Sequence, residues 1–387
     1  MEIKSADLGI KALMRIDENI DQLVRNIELL SYVNPVNIEE AKERFFKSKY
    51  LTDPEFRYPR MDFDKFRLHR ELFSQPLELI EDKEIRQLYE DIIYTYSGLI
   101  QCIETIGSGR KFYYNCLHCF GTPTETDVEN AQFILHFEDD RTEEERFIAN
   151  YSSVETEPYF RQFSRQYDFS YQIRHSKKIS ASAMVLNNTR TLVLNENHLF
   201  SEHEINVLNN HEIGVHMVTT MNGLEHPLKI FSHGFPNYEE TQEGLAVFAE
   251  YMSNNLTVNR LKELAYRVIA VDSLAKGYDF SKTFRLLHNQ YDLNREKAFY
   301  ISLRVHRGGG FTKDYLYLTG LKKIHDLYRQ GKSLDPLLSG KVSLEYIDEI
   351  ESLTQKGLAK RPKFITGAYS SNSNTDKTVD FILKNLK

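Results

Sequence analysis

His211-Glu212-Ile213-Gly214-Val215-His216 places two imidazoles five positions apart, with a carboxylate directly beside the first. Two imidazoles and one further acid can hold a zinc ion, and a glutamate next to the first histidine can take a proton from water that the metal acidifies. The familiar version of this motif spaces its histidines four apart, about 40° around a helix of 3.6 residues per turn. Five positions amount to about 140°, so on a regular helix the rings face different sides and cannot share an ion. A π-type turn, bonded from i to i+5, returns His211 and His216 to one side, and such turns gather at functional sites. The deformation is expected over Ile213 to Val215, at Gly214, a residue that costs a helix about 1 kcal/mol relative to alanine.

A third ligand is offered downstream by Gln242-Glu243-Gly244-Leu245-Ala246, on a helix read from Asn237, as N-cap, to Ser253. Gly223, Pro227, Gly234 and Pro236 reverse the chain between the two motifs, so two roughly antiparallel helices should face one ion. Gly244 and Ala246 are small, and are expected to let this helix approach the one carrying HExxxH. Two nitrogens and one oxygen favour Zn2+, and three protein ligands leave a fourth position open, the pattern of a catalytic site. Glu212 is then the expected general base. Asn210, Glu239 and Glu240 are candidates to orient the histidines. The bland alternative is a pair of satisfied histidines and a glutamate stabilised by its helix dipole.

Arg304-Val305-His306-Arg307-Gly308-Gly309-Gly310 leads into Lys313 and Tyr317. Arg304, Arg307 and Lys313 around three glycines suit capture of a C-terminal carboxylate, for which a guanidinium offers two parallel donors; ordinary surface ion pairs are the alternative. Carboxylate capture would make the protein an exopeptidase. Tyr317, four residues after Lys313, is a candidate donor to a developing oxyanion, with a core tyrosine as the alternative and Tyr315 a weaker choice. His306, between the two arginines, is the first of the other histidines to test.

The five-residue spacing resembles dipeptidyl peptidase III. The blocks Asn210 to His216, Thr241 to Ser253 and Arg304 to Gly320, in that order, resemble the microtubule-associated tyrosine carboxypeptidase family and its bacterial relatives named for a QEGLA motif. The resemblance implies a zinc carboxypeptidase that removes a C-terminal residue, aromatic or acidic, from a peptide or protein. It implies an α+β, zincin-like (gluzincin-type) fold, helix-rich with a small mixed sheet above the active-site helix. Tubulin, the substrate of eukaryotic relatives, is not expected, because no long basic extension is present. Rival readings are a zinc aminopeptidase or endopeptidase, and a zinc-binding regulatory protein without turnover; an intact Glu212 argues against the last.

The 387 residues divide, on this reading, into an N-terminal helical region (1–110) and a catalytic part (111–387). Within the latter, 111–225 hold the sheet and the HExxxH helix, and 226–387 form a helical lobe. A formal net charge of −7 argues against nucleic acid as partner. No apolar run suits a membrane span and the N-terminus is too polar for a secretory signal, so a cytoplasmic location is expected. Cys102, Cys116 and Cys119 build no disulfide framework, and Cys116-Leu117-His118-Cys119 is half a zinc knuckle without its second half. Gln132 to Phe137 reads as strand-like. Ile179 to Val185 and Thr191 to Leu194, separated by Asn187-Asn188-Thr189, read as a β-hairpin just before the start signal Ser201-x-x-Glu204. Thr142-x-x-Glu145 is a further capping signature, and Asn37-x-x-Glu40 another.

Overall fold

The computed structural model of the chain describes residues 2–138, 145–179 and 181–387, with side chains from Gly9 onward. Its elements make an α+β protein, helix-rich with one three-stranded mixed sheet. The strands are β1 (Gln172–Ser176), β2 (Ala183–Leu186) and β3 (Thr191–Asn195), in the order β1-β3-β2. β2 and β3 form the expected antiparallel hairpin, with Ala183 opposite Leu194 and Leu186 opposite Thr191. β1 runs parallel to β3 and was not read from the sequence, because its residues, Gln172-Ile173-Arg174-His175-Ser176, carry little apolar alternation.

The expected strand at Gln132 to Phe137 is not one. Those residues end a helix, Glu125–Leu135, which begins at a capping box between Thr124 and Asp127. That signature is present in the sequence and outweighs a short apolar run, which does not distinguish strand from buried helix. Thr142-x-x-Glu145 begins outside the described residues. Asn37 does start a helix, Ile38–Lys47, but without a side-chain cap; its amide oxygen accepts from the backbone of Arg57 instead.

Ser201 caps the next helix by accepting from the N–H of Glu204. The rod so begun is α-helical over Glu202–Leu208, π-helical over Asn209–Met217 and α-helical again over Val218–Leu224. One face of it, Ile205, Leu208, Ile213, Met217 and Val218, packs under the sheet against Ala183, Leu192 and Leu194. Val215 faces the other way, into the main core. Lying between two apolar layers, the rod is fixed in rotation, and its polar positions are left along a single seam.

The main core is built by helices from the whole length of the chain. Those that position the site are α1 (Glu2–Val24), α2 (Lys83–Thr105), α3 (Arg110–Phe120), α4 (Tyr238–Met252), α5 (Val258–Ala275), α6 (Arg295–His306) and α7 (Leu316–Arg329). Asp17 of α1 is buried and accepts from the N–H groups of Lys229 and Ile230 and from the Tyr89 hydroxyl. It thereby pins the loop leading to α4. None of the helices is long and apolar enough to cross a membrane among the described residues.

Candidate metal centre

His211, His216 and Glu243 converge, each offering a ligand atom within 4.8 Å of the others. The π-helix achieves this: the expected deformation is present but extends over nine residues instead of three, and the two rings lie 4.9 Å apart. Oε2 of Glu243 stands 3.7 Å from Nε2 of His211 and 3.6 Å from Nε2 of His216. Zinc ligands at their usual bond lengths and tetrahedral angles are about 3.4 Å apart. Glu243 Oε2 is also buried without any hydrogen-bond partner, an arrangement that costs about 1–3 kcal/mol unless something is bound there. Donor set, spacing and orphaned oxygen all fit a divalent cation such as zinc. Among the described residues no other three His, Cys, Asp or Glu side chains form such a group, and the Cys116/Cys119 pair belongs to none.

The other oxygen of Glu243 accepts from Lys313 Nζ at 2.6 Å. Burial would raise the Glu243 carboxyl, but Lys313 and the two histidines hold it well below its usual range. His211 donates through Nδ1 to Glu250 at 2.8 Å, since a carboxylate can only accept, and this leaves Nε2 for a metal. Burial disfavours the His211 cation, yet the neighbouring carboxylates of Glu243 and Glu250 prevail and raise it to about 9; burial wins at His216, which is lowered. Glu250 is fully buried and held in turn by Arg260 at 3.2 Å. None of the three expected orienting residues plays this part. Asn210 bonds within its own helix, Glu240 pairs with Lys323, and Glu239 lines the cleft. The signal for Glu250 was legible: it lies seven residues after Glu243, two turns along the same helix face.

The group opens into a cleft of about 240 Å³. Its walls are β2, the end of α1, α2 with Tyr96 and Leu99, the rod, and the segment from Arg304 to Tyr317. Glu212 lines the cleft beside His211 and is 7% exposed. Gly244 does not serve the approach of α4 to the rod, as expected, but to α7, where it meets Gly320 backbone to backbone.

The three basic residues differ in what they contact. Lys313 is spent on Glu243, and Arg304 grips Asp314 through both Nε and a terminal nitrogen, the latter at 3.0 Å. Among the described residues the Arg307 side chain, 4% exposed, hydrogen-bonds only the Asn34 amide oxygen and lies 4.7 Å from the ring of Phe311; its Nε has no partner, and Asp314, held by Arg304, acts on it through charge alone. Burial, reinforced by Arg304 nearby, pushes its guanidinium down to about 10. The glycines after it take positive φ (71°, 114° and 133°) and pack on α3, turning the chain so that Arg307 enters the cleft.

Tyr317 also lines the cleft, its ring between Arg267 at 5.0 Å and Lys313 at 5.4 Å. Tyr315 instead donates to the carbonyl of Phe120. The neighbouring histidines stand apart from the metal group: His306 bonds Thr283, His226 bonds Ser339 and Lys360, His203 packs on Phe147, and His233, which lines the cleft, bonds Asp21.

A helix-rich protein with a buried two-histidine, one-glutamate group at the floor of a cleft is the class that this geometry defines. The chain belongs to the microtubule-associated tyrosine carboxypeptidase family, whose model matches residues 43–387. It is similar to a mouse (Mus musculus) protein named "Putative tyrosine carboxypeptidase MATCAP2", with 23% identity over 358 residues. That match takes in 87% of this chain but 58% of the mouse protein's length. Membership of a family named for microtubules lends no support to setting tubulin aside as a substrate.

Proposed function

We propose that this chain is a zinc-dependent carboxypeptidase of zincin-like architecture, with His211, His216 and Glu243 as ligands. The observation that carries the metal is the partnerless Glu243 oxygen facing two imidazole nitrogens. When bound there, zinc supplies Lewis acidity, making water acidic near neutral pH and polarising a scissile carbonyl. Glu212, on the cleft wall beside His211, takes the proton of the attacking water and passes it to the leaving amine. Tyr317, on the cleft wall, donates a hydrogen bond from its phenol to the oxyanion as it forms; burial and Glu243 raise its pKa and keep it protonated.

Arg307 carries the exopeptidase reading. A buried guanidinium in the cleft with no carboxylate hydrogen-bonded to it among the described residues suits an incoming anion, and a peptide's C-terminal carboxylate supplies one. Lys313 and Arg304 act behind it, Lys313 fixing Glu243 and Arg304 fixing Asp314. β2, at the sheet edge and on the cleft wall, suits pairing with an extended substrate backbone. The substrate class is therefore the free carboxyl end of a peptide or protein, tubulin tails included.

The test is metal analysis of the purified protein, followed by mass spectrometry of peptides with free and amidated C-termini incubated with it. One zinc per chain and single-residue loss from the free ends alone are expected. Equal cleavage of both peptide forms would remove the carboxypeptidase assignment, and a protein that takes up no zinc would remove the metal.

A further inference from the structure

Ser339-Gly340-Lys341 had no role in the reading of the sequence, yet it is threaded between the motif rod and α4. Lys341 is 2% exposed, and its backbone is clamped on both sides, its N–H donating to the carbonyl of Phe231 and its carbonyl accepting from Phe235. Its Nζ reaches three acceptors: the His216 carbonyl at 3.0 Å, Thr219 Oγ1 at 3.0 Å and Gln242 Oε1 at 3.2 Å. Gln242 answers by donating to the Gly340 carbonyl at 3.3 Å, and Thr219 also lies 2.7 Å from Gln242 Oε1.

The position of these contacts matters more than their number. A change from i+5 to i+4 bonding leaves carbonyls that the helical ladder does not serve, and such groups need other donors. Around the motif several carbonyls receive side chains: Thr366 donates to Gly214, Thr219 to Val215 and His216, Thr220 to His216, and Lys341 to His216 again. Thr219, on the rod itself, and Lys341, from outside it, also reach α4, both at Oε1 of Gln242, the residue before Glu243. Lys341 therefore connects the second ligand directly to the neighbour of the third.

We propose that Lys341 is a positioning residue for the metal centre. It holds the rod in π register and locks it to α4, so fixing the separation of His216 from Glu243. This inference rests on the zinc reading above. Its Nζ meets none of the three ligand atoms; Lys341 lines the cleft, but its bonds go to the three acceptors above.

The experiment compares the whole chain with its Lys341→Met and Thr219→Val variants, each stripped of metal and then titrated with Zn2+ against a chromophoric chelator and with Co2+ by visible absorption. Methionine fills the lysine's volume but donates nothing. Lys341→Met should bind zinc about 10–100-fold more weakly, the range for loss of a partner behind the ligands, with an altered cobalt spectrum. Thr219→Val should move both readouts the same way by a smaller factor. Wild-type zinc affinity and an unchanged cobalt spectrum in Lys341→Met would overturn the inference and leave the zinc reading standing. If that variant does not fold, Thr219→Val decides, and an unchanged affinity there overturns it. Failure of the wild-type chain to bind zinc would sink both readings.

Discussion

A Cβ on Gly244 would lie 2.4 Å from the carbonyl carbon of Gly320, and one on Gly320 would lie 2.1 Å from the carbonyl oxygen of Glu240. Both obstacles are backbone, which cannot swing aside as a side chain can. Gly244→Ala should therefore force α4 and α7 apart and cost about 3 kcal/mol or more, at the upper end for overpacked cores. Gly214 has room, the nearest atom to its Cβ being Asn209 O at 3.5 Å. Gly214→Ala should stay within about 1 kcal/mol of the wild type. Urea denaturation of both variants checks the contrast, and equal losses would contradict it.

Glu250 determines which nitrogen His211 offers. Glu250→Ala removes the acceptor of its Nδ1 and takes from Arg260 one of its two carboxylate partners, leaving Glu263. Zinc affinity should fall about 10–100-fold. Glu250→Gln, which keeps an acceptor oxygen, should lose less. Competition with a chelator of known affinity measures both, and wild-type affinity in Glu250→Ala would show that the ring needs no such support.

The Glu212 carboxylate makes no hydrogen bond or ion pair with a described side chain, so its replacement by the isosteric amide isolates chemistry from folding. Glu212→Gln should retain zinc and the wild-type melting temperature, while turnover drops about 10²–10⁴-fold, the usual worth of a general base. Turnover that survives at the wild-type level would remove Glu212 from the mechanism.

Arg307→Met should reduce the preference for free over amidated C-termini about 10–100-fold, corresponding to a charged hydrogen bond of about 1.5–3 kcal/mol. Arg307→Lys should not restore it fully, because an ammonium lacks the planar pair of donors. The comparison is made on kcat/KM for matched peptides; an unaltered preference would point to a different carboxylate anchor.

Stability should fall on the acid side of neutrality. Burial holds His226, His306 and His325 down to about 4, below the ordinary 6.5. Between those two pH values the unfolded chain binds protons that the folded chain excludes, so stability rises with pH through the window and is lost as pH falls from about 6.5 towards 4. His226 shows why: its Nδ1 accepts from the Lys360 N–H at 3.0 Å while Nε2 donates to Ser339, and a second ring proton would break the first bond. Urea midpoints at pH 7 and pH 5 should differ in the wild type and differ less in His226→Gln. The same pH difference in both proteins would clear His226 of a part in it.

Local chemistry made much of this protein legible before any coordinates. The five-residue spacing of His211 and His216 demanded a π turn, because rotation per residue is a property of the backbone alone, and Asn187-Asn188-Thr189 between two apolar runs demanded a hairpin. Where local signals competed, the reading failed at Gln132 to Phe137, since a six-residue apolar run does not carry its own period. The arginines illustrate a different limit. The same pattern of charges contains one residue gripping an aspartate, one lysine gripping Glu243 and one guanidinium left without an anion, and nothing in their order distinguishes them.

The sequence by itself determined the local geometry and the donor types: which residues could hold a metal, that the helix carrying them must deform, and which carboxylate stands beside them as the candidate base. Tertiary structure alone decided what supports them. Lys341 and Thr366 come from more than a hundred residues downstream to donate to the His216 and Gly214 carbonyls of the π turn. A helix can state its own twist, but a carbonyl left outside its ladder is satisfied only by whatever the rest of the chain brings within about 3 Å, and that is settled when the core packs.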